Sequence, residues 1–383
     1  MSAILTQYDS RLIAWMGLTL IDGWGPAKVW RAVGDPPHPL SAWRRECTPQ
    51  VYERLQEALQ NAETVRASII TWDDPLYPAN LRVTPHPPPI LYVKGTLEVE
   101  DGAAVAIVGS RRASSQAQQL SFILARDLAQ CGITVVSGLA AGIDAAAHRG
   151  ALAGGGRTIA VVACGVDHVY PPEHKELARQ IAAHGAVVSQ FPCTTSPLRS
   201  HFPIRNRTIA GMTLATVVVE AGEKSGALIT AKHAADMGRE VLACPGDVLR
   251  EHTRGSNHLL RDGALYVESA SDIICVLQRA LSDVLASLRT ISDNVQADLT
   301  PNYVTLPIAL AEVEVAGVTY PKPPVHSKIW ETLLQHPGSS ENLATLTGMG
   351  SIHIRRALGE LELLGYVKRV GPNHYVVCGR TAQ

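Results

Sequence analysis

The chain has 383 residues, 46% of them hydrophobic, with 34 Lys and Arg set against 35 Asp and Glu for a formal net charge of -1. That length suits more than one domain at roughly 100–200 residues each, and the balance of charge excludes a globally basic coat while leaving room for a local patch. Scattered cysteines with no Cys-x-x-Cys pair fit free thiols in a reducing cytosol better than disulfides or a zinc site, and no apolar run reaches the ~18 residues a membrane span needs. The expectation is a cytoplasmic protein with no membrane partner, metal or cofactor.

Residues 1–65 carry helical spacing: Leu12, Trp15, Leu18 and Leu20 precede a break, and a second helical stretch covers residues 50–65. Within the break, Ile21–Lys28 resembles the hairpin of a helix-hairpin-helix motif, so the zone is read as a small helical domain of SAM or helix-hairpin-helix type. From Thr71 to Gly95 the prolines crowd, which predicts an extended connector rather than a helix or central strand. Across 66–282 the runs AVAIVG, ITVVSG, TIAVVAC, AVVS, ATVVVE and EVLACP alternate with helical stretches that end on Gly. Near-continuous apolar strands between helices imply an α/β body, an extended Rossmann-like, doubly wound parallel sheet. Residues 283–325 lose this periodicity, finish in TYPKPPVHSK, and are expected to be a linker. Residues 326–383 read as three helices and two short strands, the order of a winged helix. Its expected recognition helix carries His353, Arg355 and Arg356 and its wing Lys368 and Arg369, while Glu360 and Glu362 dilute the charge. DNA binding and partner association weigh equally there.

The first strand-to-helix turn, IVGSRRAS, lacks both the Gly-x-Gly-x-x-Gly fingerprint and the Walker ending, so neither NAD nor ATP is expected. Gly109 lets the backbone approach a ligand, and the helix that follows is expected to aim its free N–H groups at an anion, with Arg111 and Arg112 beside it. A second turn repeats the device with Gly138 and Gly142, and both turns face one crevice at the carboxyl ends of the strands. Asp144 and His148, four apart, fit an acid/base pair; a helix-start Asp and an unrelated, partnered His fit better.

From Leu177 to Val219 there is no Asp or Glu, while Arg179, Arg199, Arg205 and Arg207 all fall inside. Phosphates are drawn to such a region. Pro203 is placed to open a helix, on which Arg205 and Arg207 point to different sides, one toward a ligand and one bracing it. Phe202 offers a flat face among guanidiniums, and stacking contributes ~1–3 kcal/mol per base whatever the sequence. A buried Phe and loop-solvating arginines are the plainer alternatives. At the next junction Glu220 ends a strand, and Lys224, Ser225 and Gly226 open a helix. Ser225 caps it or helps cradle a phosphate, and Glu220 keeps a catalytic carboxylate in play.

Taken in order from Asp73 to Leu265, the segments DDPLYPANL, VAIVGSRRAS, VVSGLAAGIDAAAHRGAL, GRTIAVVACGVDHVYPPEH, FPIRNRTIAG, VVVEAGEKSGALITAKHAADMGREVLACPG and RGSNHLLRDGAL resemble the DNA-processing protein A family, also called DprA or Smf. The resemblance implies a homodimer that binds single-stranded DNA, protects it and loads RecA recombinase during natural transformation, without catalytic turnover. It carries a Gly-Ser-Arg turn onto Gly109, Ser110 and Arg111, a basic-aromatic pair onto Arg199 and Phe202, and an Arg-Asn-Arg motif onto Arg205, Asn206 and Arg207. With Arg112, Gly138, Lys224, Ser225 and Gly226 these are the expected nucleic-acid-binding residues. Gln116-Ala117 and Gln190 depart from the Tyr-Gly and Glu common in the family. Two rival readings stand beside it. The body also resembles nucleoside-monophosphate phosphoribohydrolases, in which Glu220 would polarise water to cleave an N-glycosidic bond, although the Pro-Gly-Gly-x-Gly-Thr run is missing. A duplex-DNA-binding scaffold built on the hairpin and winged helix is the other.

Overall fold

The computed structural model describes residues 8–278 and, beyond them, 312–315, 318–321, 326–335, 338–349, 354, 357–358, 361–362, 366–371 and 374–377. The chain divides into two compact units, 1–307 and 308–383.

The first unit opens with α1 (Ser10–Thr19), α2 (Pro26–Val33), α3 (Pro39–Glu46) and α4 (Pro49–Thr64). The last three begin on Pro at the first turn, where the missing N–H is one the helix leaves unpaired anyway. Trp30 in α2 stands between Trp15 in α1 and Trp72, with ring centroids at 5.2 and 5.0 Å, and its Nε1 donates to the Pro87 carbonyl at 2.7 Å. Apolar side chains of these helices share one cluster with Tyr92, Ala160 and Val162, so residues before 65 and the sheet beyond have a common core.

That sheet has nine strands: β1 (Ser68–Thr71), β2 (Ile90–Gly95), β3 (Ala104–Val108), β4 (Thr134–Ser137), β5 (Thr158–Val161), β6 (Ala186–Ser189), β7 (Ala215–Val218), β8 (Glu240–Ala243) and β9 (Leu265–Tyr266), in the order β1-β2-β6-β5-β4-β3-β7-β8-β9. From β6 to β9 every pairing is parallel, and β1 and β2 add on antiparallel. The intervening helices are α5 (Ala79–Arg82), α6 (Ser115–Gln130), α7 (Ile143–Ala153), α8 (Lys175–His184), α9 (His201–Gly211), α10 (Gly226–Asp236) and α11 (Arg254–Arg261). Because side chains alternate across a strand, Val105, Ile107 and Val217 pack with Leu124 and Leu128 of α6 and Ala147 of α7. Ala106, Val108 and Val218 pack with Ile209 of α9 and Ala231 of α10 on the other face. Both faces are covered, which is why the strands read as unbroken apolar runs.

Chain order reverses at β3: β4, β5 and β6 extend one way, β7, β8 and β9 the other. The loops leaving β3 and β7 therefore flank a crevice at the carboxyl edge.

The sequence reading misses β2. It lies inside the sheet, bonded to β1 and β6, in the stretch expected to be a connector. Pro87, Pro88 and Pro89 end just before Ile90, so the strand itself is free of proline and keeps its ladder donors.

In the second unit, Glu312–Val315 pairs antiparallel with Val318–Pro321, a hairpin inside the stretch expected to be linker. Helices Ser327–Gln335 and Ser340–Thr347 follow, residues 354, 357, 358, 361 and 362 are helical, and Gly338–Ser339, His374–Val377 and Val367–Gly371 form a three-stranded antiparallel sheet. Trp330, Leu333, Leu343, Leu358 and Leu361 are its buried core. Lys368 is exposed on its strand; His353, Arg355, Arg356 and Glu360 lie outside the described residues.

Candidate nucleic-acid interface

The crevice between the β3 and β7 ends is a cleft of about 440 Å³, walled by Gly109, Ser110, Arg111 and Arg112, by Phe202, Arg205 and Asn206 of α9, and by Lys224, Ser225 and Gly226. Sequence positions far apart thus meet as expected, with three exceptions. Gly138 lies beside the cleft, Arg199 is exposed on the loop leading into α9, and Arg207 turns away. Its Nη2 donates to the Pro85 carbonyl at 2.6 Å, and it lines a separate cavity with Leu81, His86 and Pro88.

The turn after β3 is pinned on both sides. The Ser110 amide donates to the Glu220 carbonyl at 2.7 Å and the Ile143 amide to the Ser110 carbonyl at 3.3 Å. A Cβ on Gly109 would stand 2.5 Å from Ile143 Cγ1 and 2.9 Å from the Glu220 carbonyl oxygen, so only glycine lets the three chains meet. The Arg112 amide donates to Ser110 Oγ at 3.1 Å, and the tight turn leaves Arg111 and Arg112 exposed.

The α6 N-terminus does not face the ligand space as the sequence suggests. Glu220, buried, accepts from the Ser114 amide at 3.0 Å and from Ser114 Oγ at 2.7 Å, and Ser114 in turn caps the helix by accepting from the Ala117 amide. A carboxylate at a helix start satisfies both the dipole and the unpaired donors. With both oxygens so engaged, and Glu220 lining a different cavity, it is not a water-activating base in this cleft. The helix end that does meet the cleft is that of α10, where Ser225 Oγ accepts from the Ala227 amide at 3.3 Å beside exposed Lys224.

Arg205 lines the cleft yet is only 4% exposed. Its Nη1 donates to the carbonyls of Gly138 at 2.5 Å and Val161 at 2.7 Å, at the ends of β4 and β5, and its Nε donates to Asn206 Oδ1. Asn206 Nδ2 donates on to the Gly226 carbonyl, joining α9 to the start of α10. Burial pulls the guanidinium down to about 10 despite the neighbouring Asp144. Asp144 accepts from the Gly138 amide at 3.1 Å, and burial holds its carboxyl above the ordinary range even with Arg205 alongside. The Gly138 peptide is therefore held from both ends, and a Cβ there would meet both the Arg205 guanidinium and Asp144 Oδ2. Arg205 braces the site rather than presenting a free charge to it.

Asp144 and His148 do not form an acid/base pair. His148 Nδ1 is 2.7 Å from Thr158 Oγ1; because that hydroxyl donates to the Val135 carbonyl, the imidazole is the donor. Burial, helped by His174 and Arg205, depresses its pKa to about 3, so it is neutral.

Phe202 sits in the first turn of α9, which begins at His201 rather than Pro203. Proline is tolerated there because first-turn amides have no intrahelical partner. The Arg111 guanidinium lies 4.8 Å from the Phe202 ring centroid and Arg205 lies 5.6 Å from it, both within the ~6 Å reach of a cation–π contact. His201 stacks on Phe191 at 4.1 Å, fixing the approach to the helix.

Residues 68–278 match the sequence family described as DNA recombination-mediator protein A. The chain belongs to this family. It is 34% identical to Protein Smf of Synechocystis sp. over 91% of this chain and 86% of that one, and 37% identical to the DNA processing protein DprA of Bacillus subtilis over 58% of this chain and 76% of that one. The X-ray structure of DNA processing protein A from Streptococcus pneumoniae aligns with a TM-score of 0.58 at 31% identity, covering 70% of this chain and 97% of that chain. DNA processing protein A from Helicobacter pylori, a structure describing that protein's single-stranded DNA binding mode, aligns with a TM-score of 0.50 at 28% identity, covering 56% and 97%.

As a DNA recombination-mediator protein A member the chain also carries site residues that the sequence reading passed over. Tyr170, on the loop after β5, stands edge-on to Phe202 with ring centroids 5.9 Å apart, and His252 lines the cleft from the loop after β8. Tyr170 belongs to the segment GRTIAVVACGVDHVYPPEH.

Proposed function

We propose that this chain binds single-stranded DNA along the carboxyl edge of its parallel sheet and serves as a recombination mediator, protecting incoming strands and loading RecA onto them during natural transformation. The observation that carries the binding reading is Arg111 lying over Phe202 in a cleft whose other wall is Lys224, Ser225 and Gly226. A cation for phosphate and an aromatic for a base stand side by side, the pairing that recognises unpaired nucleic acid without regard to sequence. Arg111, Arg112, Arg199 and Lys224, all exposed, neutralise phosphates. Phe202 takes a base, and the buried Arg205–Asn206 link holds the loops in register. The single-stranded DNA binding named for the relative from Helicobacter pylori supports this reading.

Homodimerisation and RecA loading belong to the same proposal, which membership of the DNA recombination-mediator family supports. The helix order of the second unit and its strand hairpin support a winged helix. Cys47, Cys131, Cys164, Cys193, Cys244 and Cys275 form no disulfide among the described residues, which supports a reducing, cytoplasmic place of work, and no described helix is long and apolar enough to cross a membrane.

The test is a titration of the full chain with labelled single-stranded and duplex oligonucleotides across a salt series. Single strands are expected to bind more tightly, with log K falling by about 0.7 per neutralised phosphate for each unit of log salt. Equal affinity for duplex, or binding indifferent to salt, contradicts the proposal.

A further inference from the structure

On the side of α9 turned away from the nucleic-acid cleft lies a second cavity of about 440 Å³, a size typical of small-molecule sites. Pro203 touches both spaces, and the residues after it divide: Arg205 and Asn206 line the cleft, Ile204, Arg207 and Thr208 the cavity. The remaining walls come from the first turn of α2, the stretch between β1 and β2, the residue after β6, and α10. The cavity thus opens where the N-terminal helices meet the α/β body, a place where ligand sites tend to form.

Its apolar lining is aliphatic, with Leu81, Ile204 and Ala27 beside prolines, and no Asp or Glu stands among the described walls. Arg207 is the permanently charged group there, and it is anchored yet largely unspent. Its Nη2 donates to the Pro85 carbonyl at 2.6 Å, which uses one of the five N–H donors of a guanidinium. Gln190 accepts from Thr208 Oγ1 at 2.5 Å through its Oε1, so its amide N–H groups are left to donate. His233 adds a ring nitrogen, Nδ1, that is buried without a hydrogen-bond partner. His86, on the wall from the β1–β2 stretch, is held at φ 49°, a left-handed backbone that a residue other than glycine adopts at a cost. Position 190 is where the family commonly carries Glu; with Gln there, the cavity has donors and a fixed cation and no acid of its own to answer them.

An anchored guanidinium in an aliphatic chamber selects an anion carried on an apolar body. The guanidinium fork matches a carboxylate, and a single permanent charge balances a monoanion better than a phosphate dianion. We propose that this cavity binds a small carboxylic acid with an apolar body, its carboxylate on Arg207 and Gln190 and its hydrocarbon against Leu81, Ile204 and the prolines. The inference goes beyond the single-strand reading and stands apart from it, because neither Arg207 nor Gln190 lines the cleft.

The experiment is calorimetric titration of the full chain, at fixed ionic strength, with octanoate below its micelle-forming concentration. Acetate, octan-1-ol and inorganic phosphate serve as comparisons, carrying the charge alone, the body alone and a different anion. Octanoate is expected to bind at one site per chain, on the order of tenfold or more tighter than each of the other three, since each lacks part of the recognition. Gln190→Glu keeps the size of the side chain and its acceptor for Thr208 but places a carboxylate among the cavity's donors. It lowers octanoate affinity about 10- to 150-fold, the range for loss of a charge-assisted hydrogen bond, and leaves single-strand binding as it was. Ala27→Leu narrows the chamber with the charges untouched and also weakens octanoate. If octanoate does not bind, if acetate or octan-1-ol binds as tightly, or if either variant keeps the affinity of the unaltered chain, the cavity is not an acid site. A match by phosphate overturns the proposal as well, and assigns the cavity to a nucleic-acid backbone instead.

Discussion

The turn after β3 and the first turns of α9 both look in the sequence like arginine pairs next to a loop, yet they fold into opposite environments. Arg111 and Arg112 are exposed because the backbone beneath them is fully engaged, with the Ser110 amide on Glu220 and the Ser110 carbonyl on Ile143. Arg205 is drawn inward because the sheet ends beside it with carbonyls to satisfy, those of Gly138 and Val161. Two residues on, Arg207 finds the Pro85 carbonyl on the opposite side of the helix. Density of positive charge therefore locates the site, but competition from buried backbone acceptors decides which cations remain free for a ligand.

This contrast is sharpest under mutation. Arg205→Ala leaves two carbonyls unpaired and the buried Asp144 without its neighbouring cation, so the loss is expected to be ~3–5 kcal/mol of stability, as for removal of one partner from a buried ionic group. Guanidinium-chloride unfolding reads this directly, and a midpoint like that of the unaltered chain breaks the distinction between brace and ligand. Arg111→Ala reverses the pattern. Its stability stays within ~0.5 kcal/mol, while single-strand affinity drops on the order of tenfold for one lost charge-assisted contact and the salt slope becomes shallower by about 0.7.

An effect confined to acid, silent at neutral pH, belongs to His148 beneath the cleft. Its folded pKa of about 3 lies below the ordinary 6.5. Between those values the unfolded chain takes up a proton that the folded chain refuses, so stability falls as pH drops from 6.5 toward 3 and is unaffected by this group above 6.5. The difference between the unaltered chain and His148→Gln, followed by unfolding midpoint against pH, is expected to open only in that acid window.

Strands β3 to β7 were legible because both their faces are buried, which writes each as an apolar run, and the buried half of β8 reads the same way. The interior strand β2 was not, since the prolines that flank it mask a segment whose own donors are intact. At the site, Gly109, Arg111, Phe202 and Lys224 could be picked out by local chemistry: a tight turn, a charge without counter-charge, an aromatic among prolines. Tyr170 could not, because its contact with Phe202 depends on α9 packing over the loop from β5, a fact of sheet order. The engagement of Glu220 with Ser114 was hidden for the same reason: β3 and β7 are neighbours only once the sheet has formed.

The most direct test of the account reverses one exposed charge on the far wall of the cleft. For Lys224→Glu, titrated with single-stranded DNA over a salt series beside the unaltered chain, the account predicts a loss of affinity that is largest at low salt, a shallower slope and an unchanged unfolding midpoint. Undiminished binding with the same slope would contradict it, because the strand would then have to lie somewhere other than the carboxyl edge of the sheet.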